Sequence, residues 1–467
     1  MSETIAPSRD VAARALVRVW QEDAFASAAL DAELSKRRLD PRDAALATEL
    51  CYGVLRVEPA LLDRLRAVSD RFRAPSGLVR AHLLIGAYTL CFLDRIPPFA
   101  AVSEAVEASR RVADPKVGGF VNAVLRRLAA DVEKKGRPKI GEMIAASCPA
   151  WLRAAIGRAL SKEEVPRFLA DGPSTPPHAL CVADPAKREA ILERLRAEAR
   201  GATFELGSVS PRAIRVSGAG DLRQLAGYGR DFIAQEEGAQ AIAVALGAKP
   251  GERVLDACAG HGNKTWLLAR EVGETGAVDA ADLHAKKLRA IDRAGDAGDP
   301  AREAGGGDPA AASPGVRSRA FAIDWSQVTG AASRGEIPGD YDRVLVDAPC
   351  SGTGTLRRRP EIVLRRKPDD IARLAELQLA ILRGAATCVR DGGRLVYAVC
   401  SVLREEAEDV VNAAIAKGAA DGATLVPVGF DTPSLPFGQR ASFRLLPHVN
   451  GTDGYFAASF VVRRSKA

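Results

Sequence analysis

The chain has 467 residues, with 66 Lys and Arg against 59 Asp and Glu, and 47% of it is apolar. That length exceeds one ordinary core and implies two or three domains, and a net charge of +7 is a moderate excess compatible with a polyanionic partner. No apolar run approaches the roughly 18–20 residues that cross a bilayer, and Met1-Ser-Glu-Thr-Ile5 lacks the basic and apolar regions of a secretory signal. Eight cysteines without a CxxC or a short regular spacing argue against a metal site or a disulfide framework, and for a reducing cytoplasm.

Residues 1–140 carry helical periodicity and almost no strand alternation, which predicts an all-α bundle. Ser8 reads as the cap of a first helix bearing Val11, Leu16 and Trp20. Asp40-Pro41 starts another, with proline at the first helical position behind an acidic cap. Leu46, Leu50 and Val54 recur at i, i+4, i+8, and Phe120, Val121, Val124, Leu125 and Leu128 form a cleaner amphipathic stripe. The bundle is mildly basic, with 23 Lys and Arg against 18 Asp and Glu.

Residues 141–230 change character. A helical piece around Trp151–Leu169 ends at Pro173, Pro176 and Pro177. His178–Val182, Thr203–Leu206 and Ala213–Val216 read as strands and Ala186–Ala199 as a helix, predicting a small α+β (βαββ) insert. Residues 231–467 alternate helices with strands at Arg253–Asp256, Gly276–Asp282, Arg319–Ile323, Arg343–Asp347 and Arg394–Val399. That is the pattern of an α/β, Rossmann-like domain around a parallel sheet. Asp292–Ser318 holds six Gly and three Pro without apolar periodicity, predicting a mobile surface loop.

The first strand of this domain runs into Asp256-Ala-Cys258-Ala259-Gly260-His261-Gly262-Asn263-Lys264, where glycines let the backbone turn tightly against a ligand. The spacing is not G-x-G-x-x-G. Asp282, ending the next strand, suits ribose hydroxyls; Asp279, inside that strand, suits them less. Asp324, after the third strand, suits an adenine amino group. Any one aspartate is more simply a helix cap, but three at successive strand ends point to a nucleoside cofactor. S-adenosyl-L-methionine fits that set better than NAD or ATP, since nothing in it cradles phosphate.

Asp347-Ala-Pro-Cys350-Ser-Gly-Thr-Gly354 follows one apolar strand, and Cys400-Ser-Val402 follows another. Cysteine is among the most buried residue types, and Cys51, Cys91, Cys148, Cys181 and Cys388 read as packed core thiols. Cys350 and Cys400 differ, because both follow strands and face the crevice where open α/β sheets bind ligands. On neighbouring strands, about 4.8 Å apart, they share one cleft. C5 of cytosine is a poor nucleophile, and a thiolate adding at C6 makes it an enamine carbon able to accept a methyl group. The reaction also needs a hydrogen-bonding acid near N3, for which Asp347 is placed, and a base for the C5 proton. Arg357-Arg-Arg359 and Arg365-Arg-Lys367 are of a kind that usually forms a solvated face; so close to this loop they read as phosphate contacts.

These residues resemble the Sun (Fmu) family of RNA 5-methylcytidine methyltransferases, and within it the bacterial members that act on ribosomal RNA. The resemblance spans almost the whole chain. It rests on Asp347–Gly354 with Arg358-Arg-Pro-Glu-Ile362, and on Leu395-Val-Tyr-Ala-Val-Cys-Ser-Val402 followed by Glu405-Glu406. Gln235-Glu-Glu237 and Asp453-Gly-Tyr-Phe456 also match, and the front is similar to a NusB-like RNA-binding domain, including Asn122-Ala-Val-Leu-Arg-Arg127. The resemblance implies a class I methyltransferase domain, with Cys400 as nucleophile and Cys350 as the cysteine assisting product release. It implies a cofactor loop at Cys258–Lys264, acidic positions Asp282, Asp324 and Asp347, and 16S ribosomal RNA as substrate of what is read as a monomer. The sequence departs from the family at His261-Gly-Asn263, where Pro-Gly-Gly is usual, and at Val399, where Thr is usual; Asn263 tolerates the left-handed conformation of a glycine. Two alternatives stand beside this reading: an RNA-binding assembly factor with a vestigial fold, against which both cysteines and Asp347 count, and the same chemistry on transfer RNA.

Overall fold

The computed structural model describes residues 6–70, 72–170, 176–199, 201–295 and 317–464. They form two compact units, Met1–Thr175 with Thr355–Arg366, and Pro176–Gly354 with Lys367–Ala467.

The first unit is helical: α1 (Pro7–Gln21), α2 (Ala26–Ser35), α3 (Pro41–Ala67), α4 (Gly77–Phe92), α5 (Pro98–Val112), α6 (Pro115–Lys135), α7 (Ile140–Ser147), α8 (Ala150–Ala159) and α9 (Glu164–Ala170). Asp40 caps α3, accepting from Asp43 N at 2.8 Å ahead of Pro41. Leu50 and Val54 of α3 and Val121, Val124, Leu125 and Leu128 of α6 are buried in one core, each contributing about 1.5–3 kcal/mol by leaving water. Leu46 and Phe120 pack at its margin. Ser8 is not a cap. Pro7 opens α1 behind Ala6, and Ser8 lies buried inside the first turn, because proline with its fixed φ takes the first helical position.

The second unit holds two sheets. In the smaller, β1 (His178–Val182), β2 (Thr203–Leu206) and β3 (Ala213–Ser217) are joined by β4 (Phe232–Ala234), in the antiparallel order β2-β3-β1-β4, with α10 (Arg188–Glu198) alongside. The sequence reading omits β4, whose three residues are too few for an alternation to register; backbone pairing with Leu180–Val182 makes it a strand. The chain continues through α11 (Glu237–Ala245), β5 (Arg253–Asp256), α12 (Asn263–Val272), β6 (Ala277–Asp282), α13 (Ala285–Gly295), β7 (Arg317–Ala322) and β8 (Tyr341–Asp347). It leaves for the first unit with α14 (Ile362–Arg365) and returns as α15 (Pro368–Ala386), β9 (Val389–Val399), α16 (Glu408–Lys417), β10 (Thr424–Pro427), β11 (Ser442–Leu445), α17 (Pro447–Asn450) and β12 (Tyr455–Arg463). The loop read into Asp292–Ser318 starts within α13 and ends within β7, and its centre, 296–316, lies outside the described residues.

The larger sheet has the order β10-β12-β9-β8-β5-β6-β7, with β11 also on β12. The strands β5 to β9 are parallel, while β12 runs antiparallel to β9, β10 and β11. The sheet is therefore mixed, not parallel throughout. The order reverses at β5, with β6 and β7 on one side and β8 and β9 on the other, and ligands of open α/β sheets bind at such a reversal. Asp256, Asp282, Asp347 and Val399 end their strands along this one edge.

Residues 355–366 complete the first unit. Glu361 Oε1 accepts from Ala26 N at 3.1 Å at the start of α2, where an acid meets the positive end of the helix. Arg365 donates to the carbonyls of Val19 (2.8 Å), Asp23 (2.9 Å) and Ala24 (2.5 Å). Arg357 is buried, its carbonyl accepting from Arg56 at 3.2 Å, and Arg359 lies over the Phe25 ring. The reading of these arginines as phosphate contacts fails for Arg365, whose guanidinium is engaged by carbonyls at the α1–α2 turn, and for Arg357, which is buried.

Candidate active site

The glycine turn after β5 is built by backbone pairing. Ala257 N donates to Leu345 O (2.8 Å), Ala259 N to Ala281 O (2.9 Å) and Gly262 N to Ala259 O (2.9 Å), so the loop spans β8, β5 and β6. Gly260 and Gly262 have φ of 58° and 87°, which glycine adopts without strain. Asn263 needs no left-handed conformation: it is the first residue of α12, with Gly262 as the cap. His261 and Asn263 are exposed, while Cys258, Ala259 and Gly260 are half-buried. Trp325, which the sequence did not single out, is buried and donates from Nε1 to Ala257 O at 2.6 Å, pinning the loop from below.

Asp282 Oδ2 accepts from Gly260 N at 3.1 Å; Oδ1 accepts from His284 N at 2.9 Å and pairs with Lys287 at 3.4 Å. One of a carboxylate's about four acceptor positions is left for a ligand. Asp324 is exposed, and its Oδ1 accepts from Ser326 N (3.0 Å) and Ser326 Oγ (2.6 Å), leaving Oδ2. Asp279 is buried against Arg319 and Tyr341 and is structural. Leu283, next to Asp282, is 58% exposed, an apolar surface beside the carboxylates. Asp256 is fully buried; Thr265 Oγ1 donates to one oxygen at 2.8 Å and the other has no partner. Burial pushes its carboxyl up to about 6.

The strands β8 and β9 are hydrogen-bonded neighbours, with Asp347 opposite Ala398, and Cys350 Sγ and Cys400 Sγ stand 2.9 Å apart. Both residues are half-buried, unlike the other five cysteines outside the cofactor loop. The hydrogen bond to Cys400 holds the Cys350 thiol well above its usual range, and burial and the charges at Cys400, Glu406 and Asp347 add to this. Cys350 therefore keeps its proton while it is bonded to Cys400. Lys264 Nζ meets Asp347 Oδ2 at 2.5 Å. Burial opposes the lysine's charge, but Asp347, Asp256 and Cys400 outweigh it, so it stays cationic.

Gly354 N donates to Cys400 O at 3.0 Å and Gly454 N to Gly354 O at 2.8 Å, drawing the two cysteine loops together. A Cβ on Gly354 would stand 2.0 Å from Gly454 O, so only glycine allows this approach. Among the described residues no group of His, Cys, Asp and Glu is arranged to hold a metal ion, and no helix is long and apolar enough to cross a membrane.

A sheet whose order reverses beside a glycine turn, with carboxylates rather than a phosphate cradle along its edge and a thiol pair one strand away, has the build of a class I methyltransferase. Residues 317–461 match the family described as 16S rRNA methyltransferase RsmB/F, and residues 6–130 match the NusB family. The probable ribosomal RNA small subunit methyltransferase B of Bacillus subtilis is 30% identical over 97% of this chain and 98% of its own. The ribosomal RNA small subunit methyltransferase B of Pseudomonas syringae is 33% identical over 97% and 96%. The crystal structure of PH0851 has the same fold, with a TM-score of 0.76 at 21% identity over 99% of both chains. The chain belongs to the ribosomal RNA small-subunit methyltransferase B family, also called Sun or Fmu.

Proposed function

We propose that this protein methylates C5 of a cytidine in 16S ribosomal RNA, using S-adenosyl-L-methionine and a covalent bond between Cys400 and C6. The observation that carries this is the approach of the Cys350 and Cys400 sulfurs to 2.9 Å beside the Lys264–Asp347 pair. The relatives' names support ribosomal RNA as the substrate, and exposed Arg110, Arg111, Lys116, Arg126 and Arg127 on the NusB-like bundle suit its phosphates.

The cofactor would lie against Cys258–Lys264, with Asp282 and Asp324 accepting from its hydroxyl and amino groups and Leu283 against its base. A pyrophosphate there would face Asp256, Asp282 and Asp347, so a cofactor without phosphate fits the charges better. When bound, it supplies an electrophilic methyl group. The target base leaves its stack so that C6 can be approached from the ring face. The Cys400 thiolate, its proton released to solvent, adds through sulfur to C6 while the Lys264–Asp347 pair supplies the hydrogen bond that neutralises N3. The electron pair pushed to C5 makes that carbon the nucleophile. Once Cys400 is bonded to carbon, the hydrogen bond and charge that hold up the Cys350 thiol are gone. Cys350 can then lose its proton to solvent and as thiolate take the C5 proton; the C5–H electron pair forms the C5=C6 double bond as the C6–S bond breaks and its electron pair returns to Cys400.

Methyl transfer from tritiated cofactor to small-subunit RNA tests the reading. Cys400→Ala is expected to abolish incorporation, and Cys350→Ala to accumulate a protein–RNA adduct that survives denaturant. An adduct with Cys400→Ala instead would reverse the two roles, and incorporation by Cys400→Ala would end the proposal.

A further inference from the structure

Glu406 is a fully buried carboxylate that the reaction above does not use. It ends the turn Arg404–Glu406 between β9 and α16. Its Oε1 accepts from Ser351 N at 2.7 Å and from Gln378 Nε2 at 2.9 Å. Its Oε2 accepts from Ser351 Oγ and Ser401 Oγ, both at 2.5 Å. Two bonds on each oxygen fill the acceptor positions of a carboxylate, and no ion pair to it occurs among the described residues. Ser351 directly follows Cys350, and Ser401 directly follows Cys400.

We propose that Glu406 is a positioning residue, one carboxylate that fixes the two cysteine loops to each other and so sets where the sulfurs meet the pyrimidine. The inference rests on the covalent reading of the site. Three features favour it over ordinary packing. The bonds reach both loops at the residue after each sulfur, where a small rotation of the backbone moves the thiol most. The hub is itself anchored. Tyr397 of β9 donates to Glu406 O at 2.6 Å, and Gln378 of α15 also donates to Pro349 O at 2.9 Å, which ties the carboxylate to the sheet and to the start of the Cys350 loop. Finally, a hydroxyl layer joins the same two loops: Thr353 Oγ1 and Ser401 Oγ stand 3.0 Å apart, and Leu403 N donates to Ser401 Oγ at 3.1 Å. Hydrogen bonds to a charged acceptor out of water are short and directional, which irregular loops need in order to hold reacting atoms in place.

A neutral glutamine cannot replace it. Its NH2 would face two of the four donors, leaving them unsatisfied in a buried place. Glu406→Gln is therefore expected to lower kcat by about a hundredfold, the scale of a misplacement near 1 Å, with the KM for S-adenosylmethionine within about twofold of the parent.

The deciding readout is thiol reactivity in the RNA-free protein: rates of alkylation at Cys350 and Cys400 against pH, mapped by mass spectrometry. The proposal expects Glu406→Gln to change the ratio of the two rates by about tenfold or more and to shift their pH profiles, at unchanged circular dichroism. Unchanged profiles at both cysteines would overturn it. Should Glu406→Gln not fold, Ser351→Ala and Ser401→Ala each remove a donor and are held to the same readout. In parallel, the Cys350→Ala protein isolates the covalent reading. No adduct there counts against that reading alone, since the alkylation profiles decide Glu406 independently. An adduct formed equally fast with and without Glu406→Gln counts against Glu406.

Discussion

The helical bundle and the carboxyl edge of the large sheet treat buried charge in opposite ways. In the helical unit a buried acid meets a nearby donor or cation: Glu58 accepts from Trp20 Nε1 at 2.9 Å and pairs with Arg80, and Asp10 pairs with Arg14 at 3.0 Å and with Arg37. The Trp20–Glu58–Arg80 contacts join α1, α3 and α4, Asp10–Arg14 lies within α1, and together they leave the interior close to neutral. At the carboxyl edge of the large sheet Asp256, Asp347, Glu406 and two thiols crowd together, with Lys264 bonded to Asp347. Charge there is only partly compensated by a cation, which suits the proposed reaction with its sulfur anion and charged ring. Stability and catalysis make different demands on the same buried groups.

The largest effect that could break this contrast is Lys264→Ala. Removing the cation between Asp347, Asp256 and Cys400 is expected to cost about 10²–10³ in kcat/KM, in the range of other electrostatic stabilisers, measured by methyl incorporation. A loss under threefold would mean that the acids at the edge do not depend on it.

Next come two pH responses of opposite sign. Asp256 titrates at about 6 in the folded protein against an ordinary 3.8. Between those values the folded state binds more protons, so this group's stabilisation is whole below pH 3.8 and lost as pH rises through 6, about 3 kcal/mol at most. Asp256→Asn should therefore raise the melting temperature of the catalytic unit near pH 7 and leave it nearly unchanged below pH 4. His82 in α4 is buried with neither ring nitrogen bonded, and burial lowers it from 6.5 to about 4. Here the unfolded chain binds the extra proton, so stability is present above 6.5 and falls as pH drops toward 4. His82→Leu should remove that acid loss from the bundle, seen as a melting temperature that no longer falls between pH 6.5 and 4. The smallest effect belongs to the helix cap: Asp40→Ala should cost the bundle about 1 kcal/mol in denaturant unfolding, with methyl transfer unchanged.

The catalytic strands were legible because each is a short apolar run ending in an acid or a cysteine, and β5 occupies the residues that this pattern marks, Arg253–Asp256. The antiparallel strands β10 and β11 have four residues each and were not read, since β12 supplies their pairing from 10 or more residues away. Arg357 and Arg365 were misread because sequence reports a cation but neither the burial of the first nor the carbonyls that the second meets. The role of Glu406 was invisible for a related reason. Its partners Ser401, Gln378 and Ser351 lie 5, 28 and 55 residues away, and only the folded sheet brings them together. Trp325 gave no signal either, since a lone tryptophan after a strand is ordinarily core.

The segment 355–366 has a consequence for how the protein is made. On the ribosome, α1 to α9 emerge long before Glu361 reaches Ala26 or Arg365 reaches the turn at Asp23. The nascent bundle must wait, its α1–α2 turn open, for a strip of chain translated nearly two hundred residues after α9. Biogenesis is therefore not a simple march of finished domains, and a fragment ending at α9 lacks the contacts that Glu361 and Arg365 bring.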